Sequence, residues 1–529
     1  MPGDDVPWWR RAVVYQVYPR SFADGTGDGV GDLPGLRAHL EHLSWLGVDA
    51  VWLSPIYPSP MADFGYDVAD YCAVDPLFGT LADLDAVVAD AHHLGIRVLL
   101  DWVPNHTSDA HPWFQASRSS RDDPKRDWYI WRDPAPDGGP PNNWMRAWGG
   151  TPAWTFDEAS GQWYLHLFLP EQPDLNWANP EVEVAMHATL RFWLDRGVDG
   201  FRIDVVHALG KDPALPDTPA DLSPIPHATL NDDPRTHPIL RRLRTLLDGY
   251  DGDRVMVGEV FLLDTARVAT YYGDGDELHL AFNFPPLFAP FTATSWRKQL
   301  ARVEREVAPV GWPTWVLSNH DVVRHRTRYG GDEARARAAA VLLLTLRGTP
   351  FLYAGEELGL AQAEIPPERV VDPGGRDGCR APIPWDGTPE HGWSTTDPWL
   401  PWPPEAERRN VANQREDPAS VMHLYRRLLA ARRSSPALQD GTMELIDGVP
   451  EDVIAWRRRS PGDERIVAVN FGPETVAVDA PLGGVVEVAS DGAGEGRLFT
   501  GTLGPSSAVL LRPAVTTSPA SPGSASLAL

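Results

Sequence analysis

The chain has 529 residues, with 47 Lys+Arg against 73 Asp+Glu and a net charge of −26. That length exceeds one compact core and predicts two or three structural units, and so acidic a surface argues against nucleic acid or anionic membrane as partners. No run of about 18 apolar residues appears, and the start, MPGDDVPWWRR, has no apolar h-region. A cytoplasmic protein, monomer or homodimer, is expected. Cys72 and Cys379 allow one disulfide but no disulfide framework. The 22 Trp suit a large core and also suit sugar binding, because an indole face stacks on a pyranose.

Along the chain, RAVVYQVYP reads as a strand and LPGLRAHLEHLSWLG as a helix; VDAVWLSPIY and LADLDAVVADAHHLG repeat the pair, and IRVLLDWV is a third strand. The rhythm breaks at 105–176, a stretch rich in Pro, Gly, Trp and Asp and too long for a loop, which predicts a small inserted domain. It resumes with the helix PEVEVAMHATLRFWLDRG and the strands GFRID, RVMVGEV, LAFNF, TWVLSN and TPFLYA, and VMHLYRRLLAARRS is a closing helix. Eight strands alternating with helices predict an α/β fold, a (β/α)8 TIM barrel over 1–104 and 177–435, in preference to an open doubly wound sheet. MELID, DVIAWRRR, ERIVAVNF and AVLLRP then predict an all-β sandwich domain over 436–513, and 514–529 reads as a disordered tail.

Polar residues gather at strand ends. DWVPNH places Asp101, Asn105 and His106 after strand three; DGFRIDVVHAL places Arg202 and Asp204 after strand four; GEVF places Glu259 after strand five; SNHD places Asn319, His320 and Asp321 after strand seven. The C-terminal strand ends form the active-site face of such a barrel, so these carboxylates converge. Arg202 and Asp204 are two apart and share one side of the strand, leaving Ile203 toward the helices. A neighbouring guanidinium should keep Asp204 ionised, as a nucleophile requires, while Glu259, behind the apolar VMVG, should be desolvated enough to hold a proton.

These segments resemble, in order, the motifs of the α-amylase superfamily of glycoside hydrolases, and VDAVWLSPIY and GTPFLYAGEE match its flanking motifs. The insert's QPDLN, from Gln172 to Asn176, resembles the α-glucosidase and oligo-1,6-glucosidase subgroup; the likeness runs from Trp8 to Pro513. It implies Asp204 as nucleophile, Glu259 as general acid/base and Asp321 as a carboxylate gripping sugar hydroxyls, in a retaining double displacement. It places Asp63, Tyr66, His106, Arg202 and His320 against the first sugar. It also brings Phe168, Trp148 and Arg415 to the pocket, with Asp63 and Arg415 blocking the non-reducing end so that attack is exo. A surface salt bridge is the competing role for Arg415. Val205 would border the aglycone and leans slightly toward α-1,6 cleavage, whereas HALGKDP looks more like actinobacterial α-glucosidases that often prefer α-1,4. The stretch from His207 to Pro238 either walls the aglycone subsites or is a surface excursion.

DGTGDGVGD has oxygen side chains at alternate positions, with Gly in the sixth place and Gly35 where an EF-hand has Glu. The subgroup resemblance implies a structural Ca²⁺ or Mg²⁺ held by Asp24, Thr26, Asp28, the Val30 carbonyl and Asp32; a metal-free hydrogen-bonded turn is the alternative. No organic cofactor is implied. The substrate class is a small α-glucoside, and a glucosyltransferase or sucrose-type isomerase using the same glucosyl-enzyme is the competing enzyme class. A transporter-associated, non-enzymatic relative would lack the acids and carry a membrane anchor.

Overall fold

The computed structural model describes residues 6–147, 150–220, 232–478 and 482–513. Trp148 and the tail 514–529 lie outside the described residues, as does 221–231 within the long segment after strand four. Eight parallel strands form the barrel: β1 (Val14–Val17), β2 (Ala50–Leu53), β3 (Arg97–Trp102), β4 (Gly200–Ile203), β5 (Val255–Gly258), β6 (Leu280–Ala281), β7 (Thr314–Val316) and β8 (Thr349–Tyr353). Their order is β7-β8-β1-β2-β3-β4-β5-β6, so the ladder is continuous except between β6 and β7. There the Thr314 hydroxyl donates to the Ala281 carbonyl at 2.7 Å and bridges the seam.

Side chains alternate along each strand and sort into two cores. Val14, Ala50, Trp52, Leu99, Val255, Val257 and Phe351 fill the lumen. Tyr15, Val51, Leu53, Val98, Leu100, Phe201 and Ile203 face outward into the helix layer. Ile203 therefore points where the strand period requires, and Arg202 and Asp204 point inward. Helices begin on local signals. Thr80 and Asp83 form a capping box for Leu81–His93, and Asn179 caps Pro180–Leu194 with Pro at its first turn.

The insert between β3 and β4 carries the helix Pro112–Ser119 and a three-stranded sheet of Trp131–Arg132, Gln162–Leu165 and Trp154–Asp157. QWYLHLFL is strand only to Leu165; beyond it the chain turns back toward the barrel mouth. The C-terminal unit is one five-stranded antiparallel sheet, β9 (Thr442–Ile446), β10 (Val453–Ser460), β11 (Asp463–Asn470), β12 (Val485–Ala489) and β13 (Ala508–Arg512), with a two-stranded ribbon of Val476–Ala477 and Thr502–Leu503. One sheet face, with Ile454, Trp456, Val467 and Leu510, joins the barrel's outer core, and the other packs on Val478, Leu482 and Leu503. Both cysteines are free. Trp102, Trp193, Trp296, Trp315, Trp393 and Trp456 are wholly buried, so core packing accounts for these. Among the described residues no helix is long and apolar enough to cross a membrane.

Candidate active site

The β-ladder runs past the strand ends and sets Asp204 and Glu259. The Asp204 amide donates to the Trp102 carbonyl at 2.9 Å, and the Glu259 amide donates to the Ile203 carbonyl at 2.8 Å. Glycine at 258 is required just before Glu259: a Cβ there would meet Leu278 at 2.4 Å and Val206 at 2.9 Å.

One guanidinium organises the three acids beside it. Arg202 Nη1 donates to Asp101 at 2.9 Å and to Asp204 at 2.7 Å, and Nη2 donates to Glu259 at 2.7 Å. Glu259 also accepts from the Val205 amide at 3.1 Å. Val205 presents that amide from a left-handed backbone with φ 45°, which costs a β-branched residue about 1–3 kcal/mol. Its side chain is buried among Trp144, Trp154, Leu165 and Leu167 of the insert, so it packs chiefly into the insert's core.

The charge expected on Asp204 needs correction. Arg202 does lie against Asp204, but burial, reinforced by repulsion from Glu259 and Asp101, pushes the Asp204 carboxyl well above the usual range. A guanidinium that also serves other carboxyls does not offset that cost at Asp204. Asp101 is likewise raised by burial, to about 6, against the pull of Arg202. It accepts from Trp52 Nε1 at 3.1 Å and from the Tyr66 hydroxyl at 3.0 Å.

Asp321 is the acid held most firmly ionised. Burial draws it upward, yet His320, Arg376 and Arg380 overcome this and hold it well below the usual carboxylate range. His320 is itself pushed down to about 3 by burial, so at neutral pH the two guanidiniums carry the effect. Arg376 Nη1 and Arg380 Nη2 reach Asp321 at 3.0 and 3.1 Å. His320 is fixed by Gln16 at 2.7 Å on Nδ1 and by the Tyr66 hydroxyl at 2.6 Å on Nε2, with the Tyr66 ring stacked on it at 5.4 Å. Gln16 as donor leaves Nε2 carrying the proton, which the Tyr66 hydroxyl accepts while donating its own to Asp101.

Arg376 also closes the pocket floor. It bonds Asp63 at 2.6 Å, and Asp372 clamps it from behind at 2.7 Å. Gln172 of QPDLN donates to Asp63 at 3.1 Å and lies 3.1 Å from His106 Nε2, while Phe168 packs on the His106 ring at 5.3 Å. The insert thus returns Gln172 and Phe168 to the site, as expected. Arg415 does not arrive there. It is exposed, with its guanidinium over Trp45 at 4.4 Å on the outer helix layer, and Arg376 is the guanidinium that reaches Asp63 instead. Arg376 and Arg380 stand in GGRDGCRAP, a loop with one 3-10 turn at Asp377–Arg380 and no periodicity to mark it.

Behind the site, Lys211 of HALGKDP is buried and bonds Asp174 and Asn105 at 3.0 Å each. It ties the segment after β4 to the insert.

The 24–32 loop does not fit the cation its sequence resemblance implies. Asp24 accepts from the amides of Thr26, Gly27 and Gly29 and from the Ser394 hydroxyl. Asp32 accepts from the amides of Gly25, Thr26 and Gly35, and Asp28 from that of Val30. Among the described residues no group of three or more His, Cys, Asp or Glu side chains is arranged to hold a metal. The carboxylates are satisfied as a hydrogen-bonded turn.

Comparisons with known proteins agree with this geometry. The family model for the alpha amylase catalytic domain matches residues 16–441. A protein of Rhizobium meliloti (strain 1021) named probable alpha-glucosidase is 44% identical over 512 residues, which cover 90% of this chain and 92% of the relative. The oligo-1,6-glucosidase of Heyndrickxia coagulans is 37% identical over 526 residues, covering 90% and 94%. The crystal structure of an alpha-glucosyl transfer enzyme, XgtA, superposes with a TM-score of 0.89 at 44% identity, covering 96% of this chain and all of that one. With the barrel, the acids at its mouth and matches that run nearly end to end, the chain belongs to the alpha-amylase family of glycoside hydrolases.

Proposed function

We propose that the protein is a retaining, exo-acting α-glucosidase that releases terminal glucose from disaccharides and short oligosaccharides linked α-1,4, α-1,6 or both. The observation that carries this reading is the shared grip of Arg202 on Asp204 and Glu259, opposite a floor closed by Asp63, Arg376 and Asp321. Two carboxyls spanned by one guanidinium suit the separation of about 5–5.5 Å of a retaining pair. A floor sealed by an ion pair leaves room for a chain end only.

In this mechanism Asp204 attacks the anomeric carbon in its ionised form, beside Arg202, while Glu259 protonates the departing oxygen. The glucosyl–Asp204 ester is then hydrolysed by water that Glu259 deprotonates. Asp321, ionised by its two arginines, binds hydroxyls of the ring and strengthens its hold as positive charge develops. Arg202 takes up the negative charge that returns to Asp204 when the ester breaks. Two free thiols fit a reducing compartment.

The test is product stereochemistry together with two variants. α-Glucose should appear first by NMR, and Asp204→Asn and Glu259→Gln should fold and lose turnover. β-Glucose as first product, or near-normal turnover of either variant, overturns the reading. The likeness to a solved glucosyl transfer enzyme supports a second reading, in which a sugar replaces water as acceptor. Dominant transfer products at high maltose would establish it. Maltose, isomaltose, sucrose and trehalose compared side by side assign the linkage.

A further inference from the structure

The barrel has a second face, and a cleft of about 460 Å³ opens there. Its walls come from the entry ends of the strands: Val13 precedes β1, Asp49 precedes β2, Arg97 opens β3 and Asp253 lies just ahead of β5. The catalytic acids stand at the opposite ends of the same strands. The volume falls in the range of about 300–1,000 Å³ typical of small-molecule sites.

Four guanidiniums, Arg11, Arg97, Arg432 and Arg433, line this cleft against two carboxylates, Asp49 and Asp253. Arg11, Arg97 and Arg433 each pair with a carboxylate, Asp440, Asp199 and Asp49, so Arg432 alone of the four has no carboxylate partner. Arg11 and Arg433 have partners at one end only. Arg11 meets Asp440 at 2.8 Å and Arg433 meets Asp49 at 2.9 Å, and both side chains remain a third or more exposed, at 34% and 57%.

Arg432 is the telling residue. It is buried, and its hydrogen bonds all go to main-chain carbonyls, Leu344 at 3.2 Å, Leu346 at 3.4 Å and Gly348 at 2.7 Å; its Nε is buried with no partner. Arg458 stands behind it, also buried and also bonded only to carbonyls, and the two repel. Burial pushes Arg432 down to about 10, against the pull of Asp49 and Asp440, neither of which it bonds. A buried guanidinium is normally paired with an anion. Trp8 adds an aromatic wall, with Arg97 over its ring at 5.3 Å.

We propose that this cleft is an oxyanion-binding site for a phosphate group, either free phosphate or the phosphate of a small sugar ester, bound by Arg11, Arg432 and Arg433 on the face of the barrel away from catalysis. Guanidiniums suit this ligand because their paired N–H groups match phosphate oxygens.

The experiment is titration of the full chain with inorganic phosphate and, separately, glucose 6-phosphate, at constant ionic strength with chloride as control, read by calorimetry and by Tm. Saturable binding with a rise in Tm is expected. Arg433→Gln and Arg11→Gln should each weaken it about tenfold, the effect of losing one charge-assisted hydrogen bond, and should leave glucoside hydrolysis unchanged. Asp253→Asn removes a negative wall charge at φ 53°, a backbone that asparagine tolerates, and should tighten binding. Binding of inorganic phosphate assigns the free ion, and binding of glucose 6-phosphate alone assigns a sugar phosphate; either supports the site when the variants respond. No saturable binding of either probe, or equal binding by wild type and Arg433→Gln, overturns it.

Discussion

Replacing Arg376 by methionine isolates the residue that closes the pocket floor. Its guanidinium holds Asp63 at 2.6 Å, Asp321 at 3.0 Å and Asp372 at 2.7 Å, with only 11% of its side chain exposed. Arg380 remains on Asp321 and Asp372 in the variant, at 3.1 and 3.2 Å, so the loss falls mainly on Asp63. Burial already raises the Asp63 carboxyl and Arg376 is what opposes it. Without Arg376 that carboxyl rises further, so it is protonated over more of the acidic range. Activity that needs ionised Asp63 is then lost first on the acidic side, and the acid limb of kcat/KM moves to higher pH. One charge-assisted hydrogen bond to a sugar hydroxyl contributes about 1.5–3 kcal/mol, so kcat/KM should fall about 10- to 150-fold at neutral pH. Breaking a buried ion pair should also cost about 3–5 kcal/mol of stability. The assay is kcat/KM against pH on p-nitrophenyl α-glucoside, with Tm followed in parallel and Arg415→Ala as control. Near-normal kcat/KM with an unmoved acid limb in Arg376→Met, or a large loss in Arg415→Ala, would refute the placement of the two arginines.

Lys211→Met removes the buried link to Asp174 and Asn105 and should cost about 3–5 kcal/mol; a Tm within error of wild type would contradict it. Burial drives Glu356 up to about 8 from 4.5, so it favours the protonated fold. Its contribution is fully present below pH 4.5 and lost as pH rises through about 8. Glu356→Gln should therefore flatten the fall in stability across that window, measured by urea unfolding at several pH values; an unchanged slope would count against it. The 24–32 turn should be indifferent to cations, with the same Tm in EDTA as in calcium; a calcium-dependent rise would mean that Asp24 and Asp32 exchange their amide partners for the ion.

The barrel was legible because strand and helix periods are local and repeated, and because carboxylates at strand ends need no long-range knowledge to place. Asp204 and Glu259 sit where their strands end, and Gln172 returns with its motif. Arg376 was not legible. It lies in a loop without periodicity, and only the folded path brings it to Asp63, 313 positions away. The raised Asp204 carboxyl was equally hidden, since a guanidinium two residues away could not be known to serve Asp101 and Glu259 as well. The 24–32 spacing was visible, but spacing does not say whether carboxylate oxygens face a common centre or their own backbone amides.

The seam between β6 and β7 bears on how the molecule breathes. Backbone ladders join β1 through β5, which carry Asp101, Arg202, Asp204 and Glu259, into one continuous wall. Among the described residues, the hydrogen bond that crosses from β7 to β6 is that of a side-chain hydroxyl, Thr314 to the Ala281 carbonyl. Opening should start where ladder bonds are fewest, so amide exchange should be fastest along this seam. The mouth can then widen beside His320 and Asp321 while the wall bearing Asp204 and Glu259 stays rigid, an opening that would leave those two acids aligned.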